Sequence, residues 1–318
     1  MNGKDLLRQT FINRAIPRPA FVPLIHGLAA RIEQISLEEM TTNPSLWANA
    51  LQKVQDLFKC DGVLISFDFT LLAEGCGCQV RWINQRPVVE GGVLRTNELP
   101  YQVGRRSIAL ETAKRLFKVL GMETASVAAL TGPFTLAYQL AGGGNGLERI
   151  DEAKRAVIET LKGFCSLKPD LFLFMERENS EPGQSLSERR RTYATLWNIA
   201  NYYQVSTALY VEGYLGEDFG RYAHLGAQGL IFGPSASGCT PNTERLLNLL
   251  LDSNVILGIA LPHQHQRGLE QTIDTCLEYL RSKSMKSRLF FTTCGEVSFD
   301  SSPNEFHPIV ERIKSIQL

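Results

Sequence analysis

The sequence predicts a single-domain (β/α)8 barrel spanning residues 1–318. Three observations carry that prediction. Eight short apolar runs recur along the chain, each of strand length. Amphipathic helical stretches separate most of them, and such alternation builds parallel βαβ units. Each run ends, on its C-terminal side, in residues that can do chemistry, which is the face where a barrel carries its site.

The runs follow in order. Ala20 to Ile25 ends in His26, and Gly62 to Phe67 ends in Asp68. Ser126 to Leu130 leads into Thr131-Gly132-Pro133-Phe134-Thr135-Leu136-Ala137. Leu171 to Met175 ends in Glu176 and Glu178, Ser206 to Val211 in Glu212, and Gly229 to Phe232 in Gly233. Val255 to Leu261 ends in Pro262-His263, and Arg288 to Thr293 in Cys294. Their unbroken apolar character suits strands buried on both faces.

Between the runs, Ser36-Leu37-Glu38-Glu39 has a capping-box pattern. It predicts a helix through Trp47, Leu51, Val54 and Leu57, whose spacing of three and four puts them on one face. The stretch from Phe69 to Pro100 is too long for an ordinary βα loop. Within it, Gln79 to Ile83 and Val88-Val89 flank Asn84 to Pro87, predicting a β-hairpin over the barrel mouth after the second strand. Further helices are expected at about 102–120, 147–163, 185–204, 215–225, 241–252, 267–283 and 303–316. Gly226 reads as a helix C-cap, Pro241 and Pro303 as first-turn prolines, and Gly142-Gly143-Gly144 as a helix stop.

Composition narrows the function. With 44% hydrophobic and 21% charged residues the chain can bury a large core. Basic and acidic residues balance at 33 each, and Arg189-Arg190-Arg191 is too short a run to argue for nucleic acid. No apolar run approaches the ~20 residues that span a bilayer. The N-terminus has no apolar stretch of signal-peptide length, and the seven cysteines follow no secreted-scaffold spacing, so a reducing cytoplasm is expected.

Several strand-end residues are candidates. Asp68 would sit at the mouth as an acid or as a loop anchor. Glu176 and Glu178 would share a side if their strand continues, with a salt bridge around Arg177 or to the Arg189–Arg191 cluster as the alternative. Glu212 and Cys294 end strands that converge on one axis and so could share a metal, with His263, His265 or Glu296 as a third ligand. Equally, Cys294 could be a small buried hydrophobe. His26 and Arg31 together could bind a carboxylate or phosphate. Cys76-Gly77-Cys78, beside Glu74, is a weak metal signal and reads better as loop thiols.

The Thr131–Ala137 stretch resembles the glycine–(alanine)–proline–aromatic–threonine–leucine signature of the uroporphyrinogen decarboxylase superfamily. Asp61 to Asp68 and Ala73 to Gly77 look like that family's second strand and acidic turn. Phe291 to Gly295, followed by Asp300 to Phe306, is similar to its eighth strand and proline-containing helix start. The likeness runs in order over nearly the whole chain and implies a (β/α)8 barrel. The family includes heme-pathway decarboxylases and corrinoid-linked methyltransferases.

The resemblance separates these branches. The decarboxylases carry an arginine-rich loop after strand one, where this chain has Ile25-His26-Gly27-Leu28-Ala29-Ala30-Arg31. Their signature tyrosine falls at Gln139, with Tyr138 one position early, and their late histidine matches Glu296 or nothing. The methyltransferases hold zinc with a His-x-Cys pair and a distant Cys-Gly. Cys294-Gly295 matches the latter, while the pair is replaced by Tyr210-x-Glu212. The resemblance thus implies a methyltransferase working with cobalamin, free or on a corrinoid protein, and with zinc on Glu212 and Cys294. A carboxylate-rich site would favour an O-methyl donor, or passage of methyl to a carrier other than coenzyme M. Asp68, Glu178 and Tyr138 would be catalytic; His26, Arg31, Glu74, Glu176, Tyr210 and His263 would bind a small-molecule substrate. A homodimer is left open. The alternatives are a decarboxylase of a porphyrinogen or other polycarboxylate, and a non-catalytic ligand-binding barrel.

Overall fold

A computed structural model describes residues 1–92, 104–178, 185–283 and 287–318. Its strands are β1 (Gly62–Ile65), β2 (Gln79–Ile83), β3 (Arg86–Glu90), β4 (Ala125–Thr131), β5 (Leu171–Arg177), β6 (Ser206–Glu212), β7 (Gly229–Phe232), β8 (Ile256–Leu261) and β9 (Leu289–Thr293). Seven of them form one parallel sheet in the order β1-β4-β5-β6-β7-β8-β9. Nearly every residue of these seven is buried, as the continuous apolar runs required.

The first apolar run fills the eighth position without forming a regular strand. Phe291 N–H donates to the Ala20 carbonyl at 2.7 Å and Val22 N–H to the Phe291 carbonyl at 2.9 Å. On its other side Asp61 N–H donates to the Phe21 carbonyl at 3.1 Å. The ring therefore closes between β9 and β1. Pro19 and Pro23 lack the N–H groups that a longer ladder needs, which keeps the segment irregular. The Asp61 carboxylate clamps this seam, accepting from Phe21 N–H at 2.8 Å and from Arg18 at 2.6 and 2.8 Å.

One end of the barrel is plugged. The helix Gly3–Phe11 sends Leu6 and Leu7 into an interior cluster with Leu64, Val127, Leu173 and Ile231. Arg8 ties it to Asp170, just before β5, at 2.7 Å. That leaves the C-terminal strand ends as the open face.

The hairpin is present, β2 against β3, turning at Asn84-Gln85 with φ of 49° and 63°. Asparagine tolerates that left-handed geometry better than most residues. The helix expected to run from Ser36 through Leu57 is two helices. Ser36 caps Leu37–Thr41, and Asn43 caps Pro44–Phe58, with proline in its first turn. Trp47, Leu51 and Val54 are buried as expected, whereas Leu57 is 48% exposed and Phe58 takes the inner position. Thr243, capped by Asn242, starts the helix expected from Pro241, and the 215–225 helix is only Gly220–Ala223. The end of the hairpin excursion near Pro100 and the first residues of the 102–120 helix lie outside the described residues; the rest of that helix is Arg105–Leu120. Gly142 and Gly143, with φ of 63° and 86°, end the helix Pro133–Leu140. Among the described residues no helix is long and apolar enough to cross a membrane.

Candidate active site at the barrel mouth

The C-terminal strand ends surround a cavity of about 1110 Å³. Asp68, Glu212, Cys294 and Glu296 line it, as do His26 and His263; the hairpin, from Ile83 to Val89, forms one wall. Gln85 holds the hairpin down, its amide oxygen accepting Leu37 N–H at 2.7 Å. The expected convergence of distant strand ends is therefore present.

Asp68 is anchored rather than free. Its Oδ1 accepts from Thr70 N–H at 2.7 Å and the Thr70 hydroxyl at 2.8 Å, and its Oδ2 pairs with Arg105. Arg105 also donates to Glu74 at 2.5 Å and lies over the Trp82 ring, 5.0 Å from its centroid. One buried guanidinium thus joins the β1 end, the following turn and the hairpin. Sequence reasoning missed Arg105, since an arginine opening an amphipathic helix reads as solvated surface. Glu74 belongs to this clamp.

Around the ring, Gly27 N–H donates to Glu296 Oε1 at 2.8 Å, bringing Glu296 beside His26. Burial, with Asp68 and Glu212 nearby, outweighs that bond and raises the Glu296 carboxyl to about 7. Burial lowers His26 to about 4, against the pull of Asp68, so its ring is neutral at physiological pH. His26 is 3% exposed, sits edge-on to Trp47, and neither ring nitrogen has a hydrogen-bond partner. Burial also lowers His263. The Leu261 carbonyl lies alongside it, yet neither ring nitrogen makes a hydrogen bond of good geometry. Arg31 is exposed, bonded to the Phe299 carbonyl at 3.3 Å, and does not line the mouth. The anion site expected from His26 with Arg31 is therefore not assembled: one partner is uncharged and the other is exposed and does not line the cavity.

Glu176 and Glu178 do not face the mouth. They line a second cavity of about 150 Å³, walled by Phe134, Tyr138, Arg189, Tyr193 and Tyr222 among others. Glu176 is an architectural acid. It accepts from Thr135 N–H at 2.7 Å, Phe134 N–H at 3.1 Å, and the Thr135 and Tyr193 hydroxyls at 2.5 Å each. A Cβ on Gly132 would lie 2.2 Å from its Oε1, which gives the glycine of the Thr131–Ala137 motif a physical reason. Glu178 pairs with Arg189 at 3.0 Å and with Arg221 and Tyr222, so the bridge to the arginine cluster is the reading that holds. Tyr138 and Arg177 line both cavities.

The residues at Glu212 do not fit a metal. Two Arg177 nitrogens reach Glu212 Oε1 at 2.9 and 2.6 Å, and the Tyr210 hydroxyl donates to Oε2 at 3.1 Å. Tyr210 is fully buried and does not line the mouth. Its ring fills the space that a Cβ on Gly233 would need. Burial raises the Cys294 thiol to about 11, against the Thr240 hydroxyl beside it. Among the described residues no three His, Cys, Asp or Glu side chains are grouped to hold a metal ion. A resident guanidinium takes the carboxylate lone pairs that zinc would use, so the Glu212–Cys294 zinc expectation is not supported by the donor set. His265 is exposed at the rim. Cys76 and Cys78 are buried free thiols, as are most of the seven cysteines, none of which is in a disulfide.

A parallel barrel, plugged at one end and lined with acids and imidazoles at the other, is the architecture of a (β/α)8 enzyme. Residues 2–166 match the sequence profile of the uroporphyrinogen decarboxylase (URO-D) family. The chain belongs to that family. No curated protein matches it in sequence. Among solved structures it is similar to a methyltransferase from Methanosarcina mazei, with a TM-score of 0.75 at 16% identity over 99% of this chain and 98% of that one. It is also similar to a B12-independent methionine synthase from a Shewanella species, with a TM-score of 0.55 at 17% identity over 84% of this chain and 85% of that one. At these identities the likeness establishes the fold.

Proposed function

We propose that this protein is a methyltransferase that moves a methyl group from a small methoxy compound to a corrinoid. The observation that carries the reading is the placement of Glu296, held by Gly27 N–H at 2.8 Å in the wall of a large open mouth, where burial raises its carboxyl to about 7. A methoxy oxygen leaves poorly unless it receives a proton or a Lewis acid as the methyl departs. Glu296 is placed to hold that proton, and a pKa near the working pH is what general acid catalysis needs. Its proton passes to the leaving oxygen and the donor departs as an alcohol or phenol. Asp68, immobilised on Arg105 and Thr70, orients the donor rather than exchanging protons. Arg177 supplies fixed positive charge where zinc was expected.

A corrinoid, free or on a partner protein, would supply the nucleophile that accepts the methyl group. The cavity exceeds the several hundred Å³ typical of one drug-sized ligand, leaving room for a second reactant from the open face. The methyltransferase similarity supports the reading. Polycarboxylate decarboxylation fits less well. Among the described lining residues the fixed cations are Arg86 and Arg177, against the acids Asp68, Glu212, Glu296 and Asp300. Buried carboxylates need compensating charge.

The test is conversion of cob(I)alamin to methylcobalamin, followed by absorbance, with methoxy, methylamine and methylthiol donors. Transfer from a methoxy donor is expected, with Glu296→Gln lowering kcat by about 10²–10⁴-fold and abolishing the fall in rate above pH 7. No transfer from any donor, with turnover of a porphyrinogen, would overturn the reading.

A further inference from the structure

The hairpin β2–β3 has two unlike faces. Val80, Trp82, Pro87 and Val89 alternate onto one of them, where Trp82 and Val89 pack on the core and Arg105 lies over the Trp82 ring. Arg81 and Val88, and Ile83 and Arg86, are register partners on the other. All four are exposed, and Ile83, Arg86 and Val88 line the mouth. Arg81 is committed to Glu90 at 2.6 Å. Among the described residues the Arg86 side chain makes no ion pair and no hydrogen bond. The other arginine lining the mouth, Arg177, is held by Glu212, and Arg105 behind the hairpin is held by Asp68 and Glu74. Arg86 is therefore an accessible cation whose N–H groups are free for a ligand.

Two acids of the same cavity, Glu296 and Asp300, also have no ion-pair partner among the described residues. Burial dominates the Glu296 carboxyl, and the Arg86 charge acts on it in the opposite sense, so the two lie within electrostatic reach. They do not touch, which leaves space for a molecule between them. Gln85, beside Arg86, is tied to Leu37 N–H at 2.7 Å, so this lip is fixed before a ligand arrives. A guanidinium fork suits a carboxylate or a similar oxyanion. Ile83 and Val88 flank it with apolar surface, and Phe67, Phe69 and Phe299 add flat apolar wall. One free cation compensates one negative charge. A second would face Asp300 and Glu296 with nothing to offset it.

We infer that the mouth takes an aromatic donor carrying one negative charge, bound by Arg86 on the hairpin lip between Ile83 and Val88, and gains nothing from a second. The inference rests on the methoxy-donor reading, whose substrate it specifies. It is tested by binding alone, with no corrinoid present.

Calorimetric titration of the full chain at neutral pH compares 4-methoxybenzoate, its neutral analogue 4-methoxybenzamide and the dianion 4-methoxyphthalate. The benzoate should bind about tenfold more tightly than the benzamide, as a charge-assisted pair does over a neutral one. The phthalate should bind no more tightly than the benzoate. Arg86→Gln should abolish the preference for benzoate and leave benzamide affinity nearly unchanged, while Arg86→Lys should keep part of it. Added salt should shrink the preference, because the cation is exposed. Arg86 is exposed and unpaired among the described residues, so neither variant disturbs a folded contact. Equal binding of benzoate and benzamide, a benzoate preference that survives Arg86→Gln, tighter binding of the phthalate, or binding of none would overturn the inference. Methyl transfer from uncharged methoxy donors, alongside charge-blind binding, would end this inference and keep the proposed function. Arg86-dependent binding of the benzoate without methyl transfer would do the reverse.

Discussion

Arg177 and Glu212 are register partners across β5 and β6, and two guanidinium nitrogens converge on one carboxylate oxygen at 2.6 and 2.9 Å. The guanidinium also lies over Phe69, 4.6 Å from the ring centroid. A cation held from two sides stands beside the carboxylate that the family resemblance made a zinc ligand.

The first prediction concerns metal. Protein exposed to zinc and then dialysed is expected to retain much less than one zinc per chain by atomic emission. Combining Tyr210→His, Glu212→Cys and Arg177→Ala restores a thiolate and imidazole donor set and removes the competing cation, so that variant should retain zinc. Stoichiometric zinc in the unaltered protein would show that Arg177 yields its place.

The second concerns His26 and Glu296, whose titrations oppose one another. His26 is lowered from 6.5 to about 4, so unfolded chains take up its proton first on acidification, and stability falls as pH drops from 6.5 towards 4. Glu296 is raised from 4.5 to about 7, so folded chains take up its proton first, and stability rises as pH drops from 7 towards 4.5. Each effect amounts to about 3 kcal/mol at most, at about 1.4 kcal/mol per pKa unit. Between about pH 4.5 and 6.5 they cancel. Urea denaturation across that window should show Glu296→Gln losing stability on acidification relative to the parent, and His26→Phe gaining it. Parallel curves for all three proteins would refute the opposed titrations.

A third prediction follows from the Arg105 clamp. Asp68 and Arg105 have side chains 9% and 3% exposed, so removing one charge strands the other in a buried setting. Arg105→Ala should cost about 3–5 kcal/mol in denaturation experiments. Because Trp82 packs under the same guanidinium, amide exchange should quicken along the hairpin from Gln79 to Glu90. Arg105→Lys should recover only part of both effects, since a lysine makes no fork of hydrogen bonds. Unchanged hairpin protection in the alanine variant would separate the hairpin from the clamp.

The barrel was legible in the sequence because buried parallel strands must be apolar throughout, and that leaves a pattern. Strand-end positions were legible for the same reason, and Asp68, Glu212, Cys294, Glu296, His26 and His263 do gather at the mouth. What each side chain does there was not, because pairing depends on partners far away in the chain. Glu176 looked like half of an acidic pair; its role comes from amides and hydroxyls on Phe134, Thr135 and Tyr193. Arg105 left no signal, since hydropathy does not distinguish a buried guanidinium from a solvated one. The break at Asn43-Pro44 was readable, as an Asx cap before a first-turn proline, but the longer apolar stripe through Trp47 masked it.

The ring has a stitch in it. Seven staves are laced by full ladders, whereas the eighth position is held by one bridge at Phe21–Phe291, the Asp61 tie and scattered bonds through Phe21 and Leu24. His26 emerges from that stitch, and Glu296 hangs from its neighbour, Gly27. His26 and Glu296 therefore both take their positions from the one irregular segment of the ring.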